Sequence, residues 1–318
     1  MGDTSFRTPV AVVDADFKIR HFDRILLLGS CFTDNIGQLL SRDRFKTLIN
    51  PFGPLYNPAS ILRAIEIFRS GKGIERNDLI ESNGQYHSYL CHSALSSYDA
   101  DKVLGRINQA ISSANDFLNK VDCIIITLGT AYVYRLKSSG EIVGNCHKLP
   151  ESVFTRERLS VEQTVDCLTK IVDTISSVRP DVKIIFTVSP IRHFRDGANG
   201  NQLSKSTLLL AIAELMAKRS RQIAYFPSYE IMIDELRDYR FYASDMIHPS
   251  DVAIDYFYRR FLESFLDAED TKAVESCRKL WRMENHRCLT DNPEAIRRFE
   301  QQTAAYFETL KKQFPYLV

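Results

Sequence analysis

Residues 24–40 read RILLLGSCFTDNIGQLL, and this stretch indicates the class of fold to which the chain belongs. The apolar run at 25–28 is typical of a strand that is buried on both faces. The small residues at 29–31 predict a turn, and Thr33 or Asp34 can cap the amphipathic helix that follows it. A buried strand that leads through a tight turn into a helix is the repeating unit of an open, parallel α/β sheet.

The turn itself holds two side chains that can act as nucleophiles, Ser30 and Cys31. In an open α/β sheet, the residues after the carboxyl end of a strand line the crevice where ligands bind. The first N–H groups of the next helix point into the same crevice and favour an anion there. We therefore interpret the turn as a nucleophile beside an anion site. The alternative is a purely structural turn, in which the small residues serve only the backbone, and the local sequence is the same in both cases.

A second stretch, FYASDMIHPSDVAIDYFYRRF at 241–261, supports the catalytic interpretation. Asp245 and His248 stand three residues apart, and Pro249 and Ser250 begin a predicted helix. An imidazole in this position can face a nucleophile while the carboxylate behind it fixes the orientation of the ring.

Together these two stretches resemble the first and last motifs of the SGNH/GDSL hydrolase superfamily, with GSCFTDNIG at 29–37 and DMIHPS at 245–250. More narrowly, the chain resembles the GSCFA-domain family, which is named for the first motif. Further marks of this resemblance are NPFGPLYNP at 50–58, TLGTAYVY at 127–134, GNCHKLP at 144–150, SPIRHFRDG at 189–197 and NQLSK at 201–205. The resemblance implies a three-layer α/β/α, flavodoxin-like fold with a central, mostly parallel sheet.

The resemblance also implies a role for the residues of the first turn. In the superfamily a Gly-Asp-Ser turn carries the nucleophile, and an alignment without gaps puts Cys31 in the nucleophile position and Ser30 in the position of the Asp. The spacing therefore favours Cys31, but a shift of one residue in the turn would present Ser30 instead. Asp245 and His248 supply the rest of the triad.

Two glycines match the positions where the superfamily holds an oxyanion. Gly53 offers a backbone N–H by its position in the loop after the first helix, and a rigid turn that serves only the fold is the alternative. Gly129 begins a segment that corresponds to Gly-x-Asn-Asp in the superfamily, where the Asn donates to the oxyanion. Here Ala131 stands in the place of that Asn and cannot donate from its side chain.

We therefore expect a replacement donor nearby, and the candidates are Asn145 and His147. Cys146 and His147 are adjacent, and without a partner at metal-ligand spacing they predict no metal; no cofactor is predicted either. His193, next to Arg192, is expected to contact an anionic or polyhydroxylated substrate at the same edge of the sheet.

The remaining pattern predicts buried strands at 121–128, 183–188 and 223–227. Helices are predicted at 59–68, 101–119, 161–178 and 206–218. Alternating strands and helices with right-handed crossovers require a parallel sheet, so the turns after the strands should share one edge. The polar segment that follows Ser189 is expected to be a long loop that closes over this edge.

Composition limits the alternatives. The 318 residues are 44% hydrophobic, with 41 basic and 40 acidic side chains, so neither nucleic acid nor a membrane is an expected partner. The seven cysteines show no C-x-x-C pair, and no signal peptide precedes them, which favours a reducing, cytoplasmic location. We predict a hydrolase-like domain over 1–266 and a helical extension over 267–318, which packs on that domain or pairs two subunits.

The resulting functional hypothesis is an esterase or deacetylase that acts on a small-molecule or carbohydrate ester. The carbohydrate class comes from the resemblance alone. Two alternatives stay open: an acyltransferase that passes the acyl group to a sugar hydroxyl from the same site, and a non-catalytic protein of this fold that binds a glycan or a partner. The intact Asp245 and His248 pair favours catalysis.

Overall fold

Five parallel strands form the central sheet of the computed structural model, which describes residues 8–219, 221–287, 289 and 291–317. They are β1 (Arg24–Gly29), β2 (Lys46–Ile49), β3 (Cys123–Leu128), β4 (Lys183–Val188) and β5 (Ile223–Phe226). Their order across the sheet is β2-β1-β3-β4-β5. This is the flavodoxin-like order, and ligands bind at its switch point, which lies between the carboxyl ends of β1 and β3.

The predicted strands β1, β3, β4 and β5 are confirmed. They could be predicted because they are almost wholly buried and their sequences are largely apolar. The sequence did not indicate β2, whose four residues are two polar and two apolar ones, only partly buried at the sheet edge. Residues 1–7 of the predicted N-terminal arm, and Cys288, lie outside the described residues.

Helices cover both faces of the sheet, so the predicted three-layer α/β/α fold is confirmed. They are α1 (Cys31–Arg42), α2 (Pro58–Ser70), α3 (Ala100–Leu118), α4 (Val161–Ser176), α5 (Gly197–Lys218), α6 (Asp251–Phe265), α7 (Ala268–Glu284) and α8 (Pro293–Gln313). One core lies between the sheet and α2–α5 and includes Phe68 and Phe186. A second core lies on the other face against α1 and α6 and includes Phe32 and Phe257.

Two helix starts differ from the predictions. The first helix begins at Cys31, with Ser30 in the N-cap position, rather than after Thr33 or Asp34. The fifth begins at Gly197 rather than at 206, so most of the predicted closing loop is helical. The glycines and asparagines of this segment indicated a loop, but burial of Asn201 and Lys205 against the sheet overrides that local preference.

A small antiparallel sheet follows β3 directly and rises at the carboxyl edge of the main sheet. Its strands are Tyr132–Leu136, Ile142–Val143 and Phe154–Arg158. The segment 144–150 leaves this small sheet and is fixed by the N–H groups of Gly144 and Asn145, which bond to the carbonyl oxygen of Tyr89.

The helices α7 and α8 pack against each other through a core of their own that includes Cys277 and Leu310. Arg278 of α7 forms a 2.6 Å ion pair with the buried Asp43 at the end of α1, which joins this helical pair to the sheet layers. Within the described ranges, no helix has the length and apolar character needed to cross a membrane.

Candidate active site

The turn after β1 depends on a glycine. Gly29 has φ +142°, and a Cβ atom there would lie 2.2 Å from the carbonyl oxygen of Thr127 on β3. Only glycine allows the two backbones to approach so closely while the chain changes direction. The next residue, Ser30, is extended, and α1 begins immediately after it.

The two candidate nucleophiles point to different surroundings. The Ser30 side chain is buried with 1% exposure, and its Oγ atom has no hydrogen-bond partner among the described residues. The Cys31 side chain is partly exposed, and its Sγ atom lies 3.5 Å from the phenol oxygen of Tyr56. Cys31 is also the first residue of α1.

Asn50 fixes the loop at 50–57 to the nucleophile turn. Its side-chain Oδ1 accepts a 2.9 Å hydrogen bond from the Gly29 N–H, and its Nδ2 donates a 2.7 Å bond to Asp34 on α1. Its carbonyl oxygen accepts the Gly53 N–H at 2.7 Å. The N–H of Gly53 is therefore used inside the loop rather than pointed at a ligand.

Tyr56 is the residue that connects the separate parts of the site. Its carbonyl oxygen accepts hydrogen bonds from the N–H groups of Gly129, at 2.8 Å, and Thr130, at 2.9 Å. Its ring lies edge-on to the ring of His193, with centroids 6.1 Å apart. Burial raises the pKa of Tyr56 above its usual value, and its hydrogen bond to Cys31 adds to this effect. The phenol is thus protonated throughout the neutral range.

Asp245 and His248 form a bonded pair in the turn before α6. The Nδ1 atom of His248 lies 2.5 Å from Oδ2 of Asp245, while Oδ1 accepts the N–H groups of Ile247 and His248 at 2.9 Å each. These backbone bonds, with the imidazole contact, lower the pKa of Asp245 to about 2. An ionised carboxylate accepts a hydrogen bond from the Nδ1–H group, so the proton stays on Nδ1 and Nε2 is the basic nitrogen.

Contacts and charges link this pair to the nucleophile turn. Partial burial lowers the pKa of His193, and the positive charges of Lys205 and His248 act in the same direction. His193 in turn contacts Tyr56, whose phenol reaches Cys31. The ring contact of His193 with Tyr56, and the electrostatic effect of His248 on His193, are consistent with the first and last motifs lying at one edge of the sheet.

A cleft of about 400 Å³ opens beside Tyr56. Tyr132 and Tyr134 of the small sheet supply aromatic walls, and Asn145 and His147 line the opposite side. The cleft therefore combines ring faces with amide and imidazole groups.

Of the two predicted replacement donors, His147 is the more constrained. It is buried, its Nε2 lies 2.7 Å from the Ser88 carbonyl oxygen, and its ring stacks on His87 at 4.6 Å. Burial lowers the pKa of His147, so the ring is neutral at pH 7. Asn145 accepts the His147 N–H at 2.8 Å through Oδ1, which orients its amide within the cleft wall.

Sequence reasoning missed the roles of Tyr56 and Lys205. Both lie in motifs that stood out, NPFGPLYNP and NQLSK, but a tyrosine in a loop and a lysine in a polar segment carry no local sign of burial. Among the described residues, no group of three or more His, Cys, Asp or Glu side chains could hold a metal ion.

Comparison with known protein families agrees with the sequence motifs. The model of the GSCFA family matches residues 24–261, three quarters of the sequence, and the chain belongs to this family. An acetyl xylan esterase, Est2A, from the rumen bacterium Butyrivibrio proteoclasticus is similar at 12% identity with a TM-score of 0.35. That similarity covers 76% of this chain and 63% of the esterase chain. No curated protein matches the sequence. The chemistry of the site must therefore come from its own residues.

Proposed function

We propose that this chain hydrolyses acyl esters, with Cys31 as nucleophile, His248 as general base and Asp245 as the group that orients the imidazole. The observation that carries the proposal is the bond between Asp245 and Nδ1 of His248, because it leaves Nε2 as the nitrogen that can act as a base. The contrast between the buried Ser30 hydroxyl and the accessible Cys31 thiol supports the choice of nucleophile.

In the first step, Nε2 of His248 accepts the thiol proton and the sulfur forms a bond to the ester carbonyl carbon. The carbonyl π electrons move to the oxygen. When this intermediate collapses, the bond from carbon to the alcohol oxygen breaks and Nε2–H gives its proton to that oxygen. Water then attacks the thioester and transfers a proton to Nε2. The carbon–sulfur bond breaks, the proton returns to the sulfur, and a carboxylic acid leaves.

The cleft supports O-acylated carbohydrate as the substrate class. Sugar rings have apolar faces and hydroxyl edges, and the lining of the cleft combines the aromatic residues Tyr132 and Tyr134 with the amide of Asn145. A sugar hydroxyl that replaces water in the second step would complete an acyl transfer instead. The cleft volume of about 400 Å³ lies in the range of ligand-binding pockets, so acceptor sugars should be included in the assays.

The test measures acetate release from an acetylated oligosaccharide and from 4-nitrophenyl acetate by the full-length chain. His248→Ala should lower turnover by roughly 10²–10⁴-fold, the range expected when a general base is lost. Its melting temperature should stay close to that of the wild type, because the His248 side chain is nearly half exposed. His286→Ala, which removes an exposed imidazole from the segment after α7, is the matched control.

Equal turnover by His248→Ala and the control would show that the base assignment is wrong. Binding of the oligosaccharide without acetate release by the wild type would favour the non-catalytic alternative. Acetylated acceptor sugar among the products, detected by mass spectrometry, would identify a transferase rather than a hydrolase.

A further inference from the structure

We propose that the phenol of Tyr56 is a catalytic residue that donates a hydrogen bond to the oxyanion formed when Cys31 attacks the ester. This inference rests on the proposed function and adds to it the group that stabilises the developing negative charge. It follows from the position of the phenol and from the hydrogen bonds that already occupy the candidate backbone donors.

The backbone donors expected at this edge are already used. The Gly53 N–H bonds to the carbonyl oxygen of Asn50, and the Gly129 N–H bonds to that of Tyr56. The Ala131 N–H donates to the Ser204 hydroxyl at 2.8 Å. Ala131 itself has only a methyl group where the superfamily has an amide. These groups therefore leave the negative charge without a donor in this arrangement.

The Tyr56 phenol is placed where that charge develops. Its oxygen lies 3.5 Å from Sγ of Cys31, and the oxyanion is joined to the sulfur through a single carbon atom. A donor that already contacts the sulfur is therefore close to the oxyanion once the carbon–sulfur bond forms. At the start of α1, the Thr33 N–H is also in use, since it donates to the Ser30 carbonyl oxygen at 2.8 Å.

Hydrogen bonds fix the backbone on both sides of the Tyr56 side chain, and the phenol is protonated. Two N–H groups, those of Gly129 and Thr130, bond to the Tyr56 carbonyl oxygen, and the next residue, Asn57, caps α2 through a 2.8 Å bond from the Ser60 N–H. Burial raises the pKa of Tyr56, so the hydroxyl keeps its proton while it donates. No proton is transferred in this step. The hydrogen bond only strengthens as charge moves onto the carbonyl oxygen.

The experiment compares two reactions of the same sulfur in the full-length chain. Acetylation of Cys31 by 4-nitrophenyl acetate, followed by mass spectrometry in a single turnover, passes through an oxyanion. Alkylation of Cys31 by iodoacetamide does not. Both rates are measured across pH and compared for the fully ionised thiolate. Tyr258→Phe is the matched control, since it removes a buried phenol bonded to Asp43 at the other end of α1.

Tyr56→Phe should acetylate about 10²–10³-fold more slowly, the usual effect of losing one oxyanion donor, while its alkylation rate stays close to that of the wild type. Tyr258→Phe should match the wild type in both reactions. An unchanged acetylation rate in Tyr56→Phe would overturn the proposal. An equal loss in both reactions would also overturn it, because the phenol would then only position the sulfur.

Failure of the proposed function gives a different result. If the wild type is not acetylated at Cys31, the nucleophile is wrong and the role of Tyr56 falls with it. If His248→Ala acetylates as fast as the wild type, only the base assignment is wrong. Slow acetylation of Tyr56→Phe would in that case still support the oxyanion role.

Discussion

The Nζ atom of Lys205 donates a 2.7 Å hydrogen bond to the carbonyl oxygen of Gly129, at a position where Lys205 has no exposed surface. The same nitrogen donates to the carbonyl oxygen of Ser189 at 2.8 Å. Burial lowers the pKa of Lys205 to about 7, and the charge of Arg192 acts in the same direction. This lysine therefore ties the carboxyl ends of β3 and β4 together and changes its charge near neutral pH.

That lowered pKa predicts a pH-dependent stability. From about pH 7 to the usual lysine value of 10.5, the unfolded chain binds more protons than the folded one at this residue, so its contribution to stability rises with pH. The free energy of unfolding of the wild type should therefore increase relative to that of Lys205→Met between about pH 7 and about pH 10. Urea unfolding at several pH values measures this difference.

Lys218→Met is the control for this measurement, because Lys218 is exposed and pairs with Glu214 on the same helix. Its difference from the wild type should not change with pH over the same range. A Lys205→Met difference that is equally flat would show that the lysine stays charged when buried, held by its two carbonyl partners.

The choice between the two nucleophiles gives a direct comparison. Cys31→Ala should abolish ester turnover and resist alkylation at the turn, whereas Ser30→Ala should keep most of the activity because its hydroxyl is buried away from the cleft. Cys167→Ala controls for the loss of a partly buried thiol on α4. Initial rates with 4-nitrophenyl acetate provide the measurement. Activity that survives in Cys31→Ala and is lost in Ser30→Ala would assign the role to Ser30.

Asp245 should act through the tautomer of His248. In Asp245→Asn, the amide oxygen can still accept the N–H groups of Ile247 and His248, so the turn is retained. The amide no longer fixes the proton on Nδ1, and the imidazole is free to place it on Nε2, where it is no longer a base. We expect kcat to fall by about 10²–10⁴-fold. Asp251→Asn, at the start of α6, should be normal, and equal activity in both variants would contradict the orienting role.

The pH profile of the wild type adds a second check. Since the pKa of Asp245 is lowered to about 2, this carboxylate stays ionised through the neutral range. Its stabilising contribution is present above the unfolded value of 3.8 and is lost only as the pH falls through about 2. An acid limb of kcat/KM near neutral pH must then belong to another group, and this limb should persist in Asp245→Asn.

The sequence predicts four strands of the sheet well because they are buried on both faces and read as largely apolar runs. It fails for β2, since this short edge strand is only partly buried and half of its residues are polar. It also fails at the start of α5, where tertiary burial of Asn201 and Lys205 outweighs a local sequence of glycine and asparagine.

The candidate site shows the same difference between features with a local sequence pattern and features that depend on tertiary contacts. The motif residues Cys31, Asp245 and His248 could be proposed as candidates from the sequence, because the positions of turns and helix starts leave a local pattern. The partners of the backbone N–H groups could not. That Gly53 and Gly129 donate to carbonyl oxygens depends on how two loops meet in space, and the phenol of Tyr56 reaches Cys31 across 25 residues of sequence.

Asn145 is predicted to bind substrate rather than to stabilise the oxyanion. Its Oδ1 is occupied by the His147 N–H, and its amide lies in the cleft wall, where loss of one hydrogen bond is worth about 1 kcal/mol. Asn145→Ala should therefore raise KM for an acetylated sugar by roughly 3–10-fold, with a smaller change in kcat. Asn285→Ala, at the end of α7, is the control. A fall in kcat of about 10²–10³-fold would instead make Asn145 an oxyanion donor.

Gly29 offers a test of the turn that presents the nucleophile. In Gly29→Ala, the new Cβ would lie 2.2 Å from the Thr127 carbonyl oxygen, so β1 and β3 must separate. We expect a loss of about 4 kcal/mol or more in unfolding free energy, or no folded protein. Gly140→Ala is the matched control, since Gly140 also has positive φ but nothing lies within 4 Å of its added Cβ. It should lose only about 1–2 kcal/mol from backbone strain. Equal losses in the two variants, measured by urea unfolding, would show that backbone strain alone, and not the approach of β3, requires glycine after β1.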